Sequence, residues 1–135
     1  MNKIVIKDNI KPNIEDLMEL YTDVGWSAYT DNKETLKKAI DNSLKLYTVW
    51  DKDKLIGLAR IVGDNYVIIY IQDILVLEGY QNQGIGSKLL KLILEEYKSI
   101  RQIVLLTEDS EKTINFYEKN AMVKISDYDG VAFTR

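Results

Sequence analysis

The 135-residue sequence has no cysteine, no histidine and a single proline, Pro12. Without cysteine there is no disulfide framework and no thiolate chemistry, and nothing argues for an oxidising compartment. Without histidine the common zinc sites lose their usual ligands and Ser-His or Cys-His nucleophilic catalysis is excluded, so no metal is expected. No apolar run approaches the length of a membrane span. The first ten residues lack the apolar segment of a signal peptide, which makes the cytoplasm the expected location. An excess of one charge sign is missing too. Net charge is −3 with the signs interspersed, implying neither a nucleic-acid surface nor a polybasic membrane patch.

What is present describes an ordinary globular chain: 46% hydrophobic residues over this length suffice for one core, and one mixed α/β domain over residues 1–135 is expected. Lys3 to Lys7 alternates as a first strand. Asn13 can cap a helix whose stripe is Leu17, Leu20, Tyr21 and Val24, stopped by Gly25. Trp26, Ala28 and Tyr29 form a connection to a second helix over 33–44. Trp26 and Tyr29 read equally as a cap on the core or as the lining of an acceptor pocket. Segments 47–50, 55–62 and 66–77 read as an antiparallel meander. A helix over 84–98, with Ile85, Leu89, Leu92, Ile93 and Tyr97 on its apolar side, leads to a strand over 102–107. Together with the strand before it, this makes a parallel βαβ unit. Ser110 or Asp109 then caps a last helix, and 122–125 with 131–134 read as a closing hairpin.

The meander delivers the chain to Gly84-Ile85-Gly86 at a helix start, where free N–H groups and the positive end of the helix dipole favour phosphate. Glycine there lets a bulky anion reach the amides, although a G-x-G before a helix also occurs as a simple turn. The dinucleotide fingerprint needs a third glycine where Leu89 stands, and the nucleotide P-loop needs Gly-Lys-Ser/Thr, so both are excluded.

The string Gln81-Asn82-Gln83-Gly84-Ile85-Gly86, after Asp73-Ile74-Leu75-Val76, resembles the acyl-CoA signature Q/R-x-x-G-x-G/A of the GCN5-related N-acetyltransferases (GNAT). The element order β-α-α-β-β-β-α-β-α-β-β resembles that family from end to end. Residues 55–64 with 73–76 and 80–81 look most like its small plant and bacterial branch of serotonin N-acetyltransferase-like proteins. The resemblance implies a GNAT-like acyl-CoA N-acyltransferase fold, with a central mixed, mostly antiparallel sheet flanked by four helices. It implies that Leu75, Val76 and Leu77 offer backbone partners to pantetheine and that Gln81, Asn82, Gln83, Gly84, Ile85, Gly86 and Ser87 cradle the CoA pyrophosphate. Glu111 to Met122 looks like the family's last helix, with Asn115 and Tyr117 facing the cofactor. It departs at Asn120-Ala121-Met122, where relatives carry a glycine and then an aromatic.

Acetyl transfer needs a neutral amine beside the thioester, charge stabilisation at the carbonyl oxygen and a proton for the departing thiolate. With no cysteine or histidine, direct attack in a ternary complex is the expected mechanism. Tyr117 is the candidate general acid, and the N–H of Val76 or Leu77 could polarise the carbonyl. Tyr70 and Gln72, with Trp26 and Tyr29, are the candidate acceptor-binding residues, but neither Tyr70 nor Gln72 is a good base at neutral pH, which leaves a water relay to a carboxylate or binding of the minor neutral amine. Asp73 is expected on the opposite face from them, satisfying local backbone. The expected cosubstrate is acetyl-CoA and the expected partner a small-molecule primary amine, with a homodimer left open. The alternatives are a non-catalytic acyl-CoA-binding regulatory module and a protein N-acetyltransferase.

Overall fold

The structure, a computed structural model, describes residues 3–135. They fall into two compact units, one ending at Leu105 and one running from Leu106 to Arg135. The first contains β1 (Ile4–Asp8), α1 (Ile14–Asp23), α2 (Ser27–Thr30), α3 (Lys33–Asp41), β2 (Lys45–Asp51), β3 (Lys54–Gly63), β4 (Ile68–Val76), α4 (Ile85–Glu96) and β5 (Gln102–Val104). The strands form one sheet in the order β1-β2-β3-β4-β5. The first three pairings are antiparallel and β4–β5 is parallel, the mixed sheet with one βαβ unit that the sequence leads one to expect. No helix among the described residues is long and apolar enough to cross a membrane.

Local chemistry sets most element ends. Asn13 Oδ1 accepts from the Asp16 N–H at 2.9 Å and Asn32 Oδ1 from the Thr35 N–H at 3.0 Å, starting α1 and α3. α3 stops at Asp41, short of the expected Leu44, because the Asn42 side chain caps the Lys38 carbonyl at 2.7 Å and Leu44 N–H already bonds the Ile61 carbonyl at 2.8 Å. The aromatic connection after Gly25 contains a helical turn, α2. In α4 the row Ile85, Leu89 and Ile93 is buried together with Leu90, whereas Leu92 lies 42% exposed. Leu92 stands about a quarter-turn off the row that faces the sheet.

Register separates the two faces of the sheet. Arg60 lies opposite Leu46, and its guanidinium reaches the Ala39 carbonyl and Ser43 Oγ around the end of α3, while the neighbouring Tyr47 bonds Glu96 of α4. Side chains alternate along a strand, so α3 and α4 cover opposite faces. Tyr21 of α1 shares the Arg60 side through its bond to Asp73.

In the second unit α5 (Glu111–Lys119) starts at Ser110, whose Oγ accepts from the Thr113 N–H at 3.2 Å. The expected closing hairpin is not formed among the described residues. Residues 125–128 instead make a 3₁₀ turn, Asp129 is left-handed at φ 62°, and Gly130 N–H bonds the Ile125 carbonyl at 3.1 Å. Alternation in the sequence marks a strand only where a ladder partner is at hand, and between residues 124 and 130 the backbone bonds locally instead.

Candidate active site

β4 and β5 pair only at Ile68, Ile69 and Tyr70, so the rest of β4 runs on beyond the ladder. On its other edge β4 stays bonded to β3 as far as Leu77, whose N–H donates to the Ile56 carbonyl at 2.8 Å. The Leu77 carbonyl in turn accepts from the Tyr80 N–H at 2.8 Å, so both backbone groups of Leu77 are engaged within the protein. Antiparallel pairs alternate, so bonding at Leu77 means that Leu75 also faces β3 and the Val76 N–H points to the side the ladder has vacated. Of the three backbone positions expected to meet a pantetheine arm, Val76 is the one presented to that side.

β4 leads straight into the glycine loop. A 3₁₀ turn at Glu78–Tyr80 is followed by Asn82 at φ 64° and Gly84 at φ 81°, both left-handed. Gly84 is the N-cap of α4; it has no side chain to cap the helix, and a Cβ placed on it would meet nothing within 4 Å. No side chain thus fills the space beside the first turn of α4, at a backbone conformation that glycine or asparagine adopts easily, and the first-turn amides have no intrahelical partner. Three hydrogen bonds that the sequence reading overlooked hold the loop. Gln81 Nε2 donates to the Val76 carbonyl at 2.9 Å, Tyr80 Oη donates to Asp51 at 2.6 Å, and the Glu78 N–H donates to Asp23 at 2.7 Å. Gln81 thus ties the loop to the strand, and Asn82 and Gln83 are exposed between them.

The acceptor candidates gather around a carboxylate assigned to a different job by sequence. Asp73 is 2% exposed; its oxygens accept from Tyr21 Oη at 2.7 Å, Tyr29 Oη at 2.9 Å and Arg60 Nε at 2.8 Å. Gln72 Nε2 donates to the same Tyr29 oxygen at 3.0 Å. Asp73 therefore serves side chains rather than backbone, and it shares a side with Gln72. The reason is a β-bulge: Arg60 pairs with Asp73 and Ile61 with Ile71, leaving Gln72 as the extra residue and placing two consecutive side chains over one partner. Tyr70, opposite Val62, lies on this side as well. The rings of Tyr21, Trp26 and Tyr29 pack on one another, with Trp26 and Tyr29 stacked at 5.9 Å. Burial, then the neighbouring carboxylate, push the Tyr21 and Tyr29 phenols above their ordinary range, so both stay protonated donors. Desolvation works against the Arg60 charge, and the bond to Asp73, its negative charge and the two tyrosines together more than offset it.

Tyr21 and Arg60 were missed by the sequence reading. The available signal was a charged residue inside each of two apolar strands, L-A-R-I-V and Q-D-I-L-V, since charges buried in a sheet must find each other.

In the second unit, Tyr117 is half-buried on α5, edge-on to Phe116 at 5.0 Å, and Asn115 is exposed. Burial raises the Tyr117 phenol above its usual value, which keeps the proton a general acid must give.

The family model described as the acetyltransferase (GNAT) family matches residues 12–122. The chain is 35% identical over 109 residues to an uncharacterised N-acetyltransferase ycf52-like protein of Prochlorococcus marinus, covering 76% of this chain and 58% of that relative's length. A GNAT family acetyltransferase from Streptococcus pneumoniae TIGR4 superposes with a TM-score of 0.88 at 38% identity, over 98% of this chain and 97% of that one. An aminoglycoside N-acetyltransferase solved in complex with CoA shares the fold at a TM-score of 0.74 and 16% identity, over 100% of this chain and 95% of that one. With the glycine loop, the sheet and these likenesses together, the chain belongs to the GNAT family of acetyltransferases.

Proposed function

We propose that this acetyltransferase moves the acetyl group of acetyl-CoA to the primary amine of a small molecule by direct attack in a ternary complex. The observation that carries the reading is the continuity of the vacated β4 edge with an uncapped helix N-terminus. Phosphates seated on the amides at Gly84–Gly86 leave a pantetheine arm one course, back along β4 past Val76 toward the bulge at Gln72. The aminoglycoside acetyltransferase of the same fold was solved with CoA, which supports this choice of cosubstrate. A cytoplasmic setting goes with it, since the chain carries no cysteine for an oxidising compartment.

In the reaction the amine lone pair attacks the thioester carbonyl carbon while the Val76 N–H stabilises the oxyanion. The C–S bond breaks, Tyr117 gives its proton to the thiolate, and the nitrogen loses one proton to water. Tyr117 is then reprotonated from solvent. A turnover screen with acetyl-CoA across amines, arylalkylamines, diamines and amino acids tests the reading; absence of turnover with every amine, together with intact CoA binding, favours a regulatory module.

The loop has its own test. Asparagine tolerates the left-handed backbone of Gly84 but fills the space in front of the amides. Gly84→Asn is therefore expected to keep its melting temperature while CoA binding weakens by about 10- to 100-fold, the equivalent of losing charge-assisted hydrogen bonds. Calorimetry reads it, and unchanged affinity removes the phosphate seat.

The proposed mechanism has no basic side chain for the amine, so the amine must react from its neutral form. kcat/KM is expected to rise about tenfold per pH unit below the amine's own pKa, and the limb should move to lower pH when ethylamine is replaced by the less basic trifluoroethylamine. A fall at pH above the ordinary phenol range belongs to loss of the Tyr117 proton, which burial holds on. A limb that stays put when the amine is changed would expose an enzymic base.

A further inference from the structure

We infer that the Tyr29 hydroxyl is the seat of the acceptor nitrogen, with Asp73 as the positioning residue that fixes its direction, so that the acceptor is an amine with an apolar body held by a hydrogen bond and not by an ion pair. This rests on the acetyl-transfer reading and adds the chemical class of the acceptor.

The Tyr29 oxygen donates its one proton inward to Asp73 at 2.9 Å and accepts one from Gln72 at 3.0 Å. The Arg60 guanidinium also hydrogen-bonds this oxygen, so an incoming N–H takes the place of the exposed Gln72 amide, and a neutral amine offers that N–H while leaving its lone pair for attack. Asp73 does not compete for the amine. It is buried, and its oxygens already receive Tyr21, Tyr29 and Arg60. The Arg60 guanidinium neutralises it and lies 6.0 Å from the Tyr29 ring, so the cluster has no net anionic charge to offer a second ammonium. Trp26 stacks on the Tyr29 ring and is itself only half-buried, giving the amine's carbon body a flat apolar surface beside the hydroxyl. The bulge places Gln72, which bonds Tyr29, just past the point where the β4–β5 ladder ends, on the strand along which the acyl chain is proposed to lie.

The test uses the whole chain and two readouts: benzylamine binding to the CoA-saturated protein by calorimetry, and steady-state turnover of benzylamine with acetyl-CoA. Tyr29→Phe is expected to weaken benzylamine binding and raise its KM about tenfold, with the acetyl-CoA KM, kcat at saturating amine and melting temperature nearly unchanged. Asp73→Asn, if it folds, should raise the amine KM with the same split, because the Tyr29 proton is no longer held inward by a charge. 1,4-Diaminobutane should bind no better than benzylamine. Benzylamine affinity and KM unaltered in Tyr29→Phe, or tighter binding of the diamine, overturns the inference while leaving acetyl transfer standing. Tyr29-dependent binding without turnover supports the seat and refutes the transfer.

Discussion

Tyr117→Phe is expected to bind acetyl-CoA almost as the wild type does and to turn over roughly 10²-fold more slowly, within the usual contribution of a general acid. The substitution keeps the ring that packs edge-on to Phe116 and removes only the hydroxyl. Burial already holds that phenol in its protonated form, so the hydroxyl is available as a proton at neutral pH. Product release could mask a slower chemical step, so single-turnover kinetics with acetyl-CoA prebound is the decisive measurement. If Tyr117 only fills space, the phenylalanine variant changes stability by about 1 kcal/mol and keeps wild-type single-turnover rates.

Asp73→Ala should be the most destabilising single change in the acceptor region, costing about 3–5 kcal/mol, because it strands a buried guanidinium and two phenols. Arg60 is 7% exposed and Tyr21 fully buried, so water cannot replace the lost carboxylate cheaply. Urea denaturation reads the loss. Adding Arg60→Met to Asp73→Ala should recover part of it, since the second substitution removes the uncompensated charge. A double variant no more stable than the single one would mean that the carboxylate serves mainly the two tyrosines.

The glycine loop was legible in the sequence because its chemistry is local: a helix start, a residue that must tolerate positive φ and an absent side chain are all encoded within six positions. The meander was legible for a related reason, since short polar turns join strands that then pair in chain order. The closing hairpin was not, because alternation around 122–134 is only half a statement and the other half is a ladder partner. The acceptor cluster was half legible. Trp26 and Tyr29 stood out as aromatics between two helices, but their partner Asp73 was assigned by strict alternation to the wrong side. A bulge leaves no mark in the composition of a strand, and the one at Gln72 moves every later side chain of β4 across the sheet.

That crossing decides which layer each position of the strand serves. Ile69 and Ile71 lie opposite Gly63 and Ile61, on the α4 side, whereas Asp73 and Leu75 lie opposite Arg60 and Leu58, on the side of α1 and α3. All four are odd-numbered and all four are buried. Tyr70 and Ile74, opposite Val62 and Ala59, do the reverse, so each half of β4 contributes alternate side chains to both layers and the bulge only exchanges which parity serves which. One extra residue thus lets a single run of odd-numbered positions serve two layers, so a change at Asp73 is made on the other face from Ile69 and Ile71.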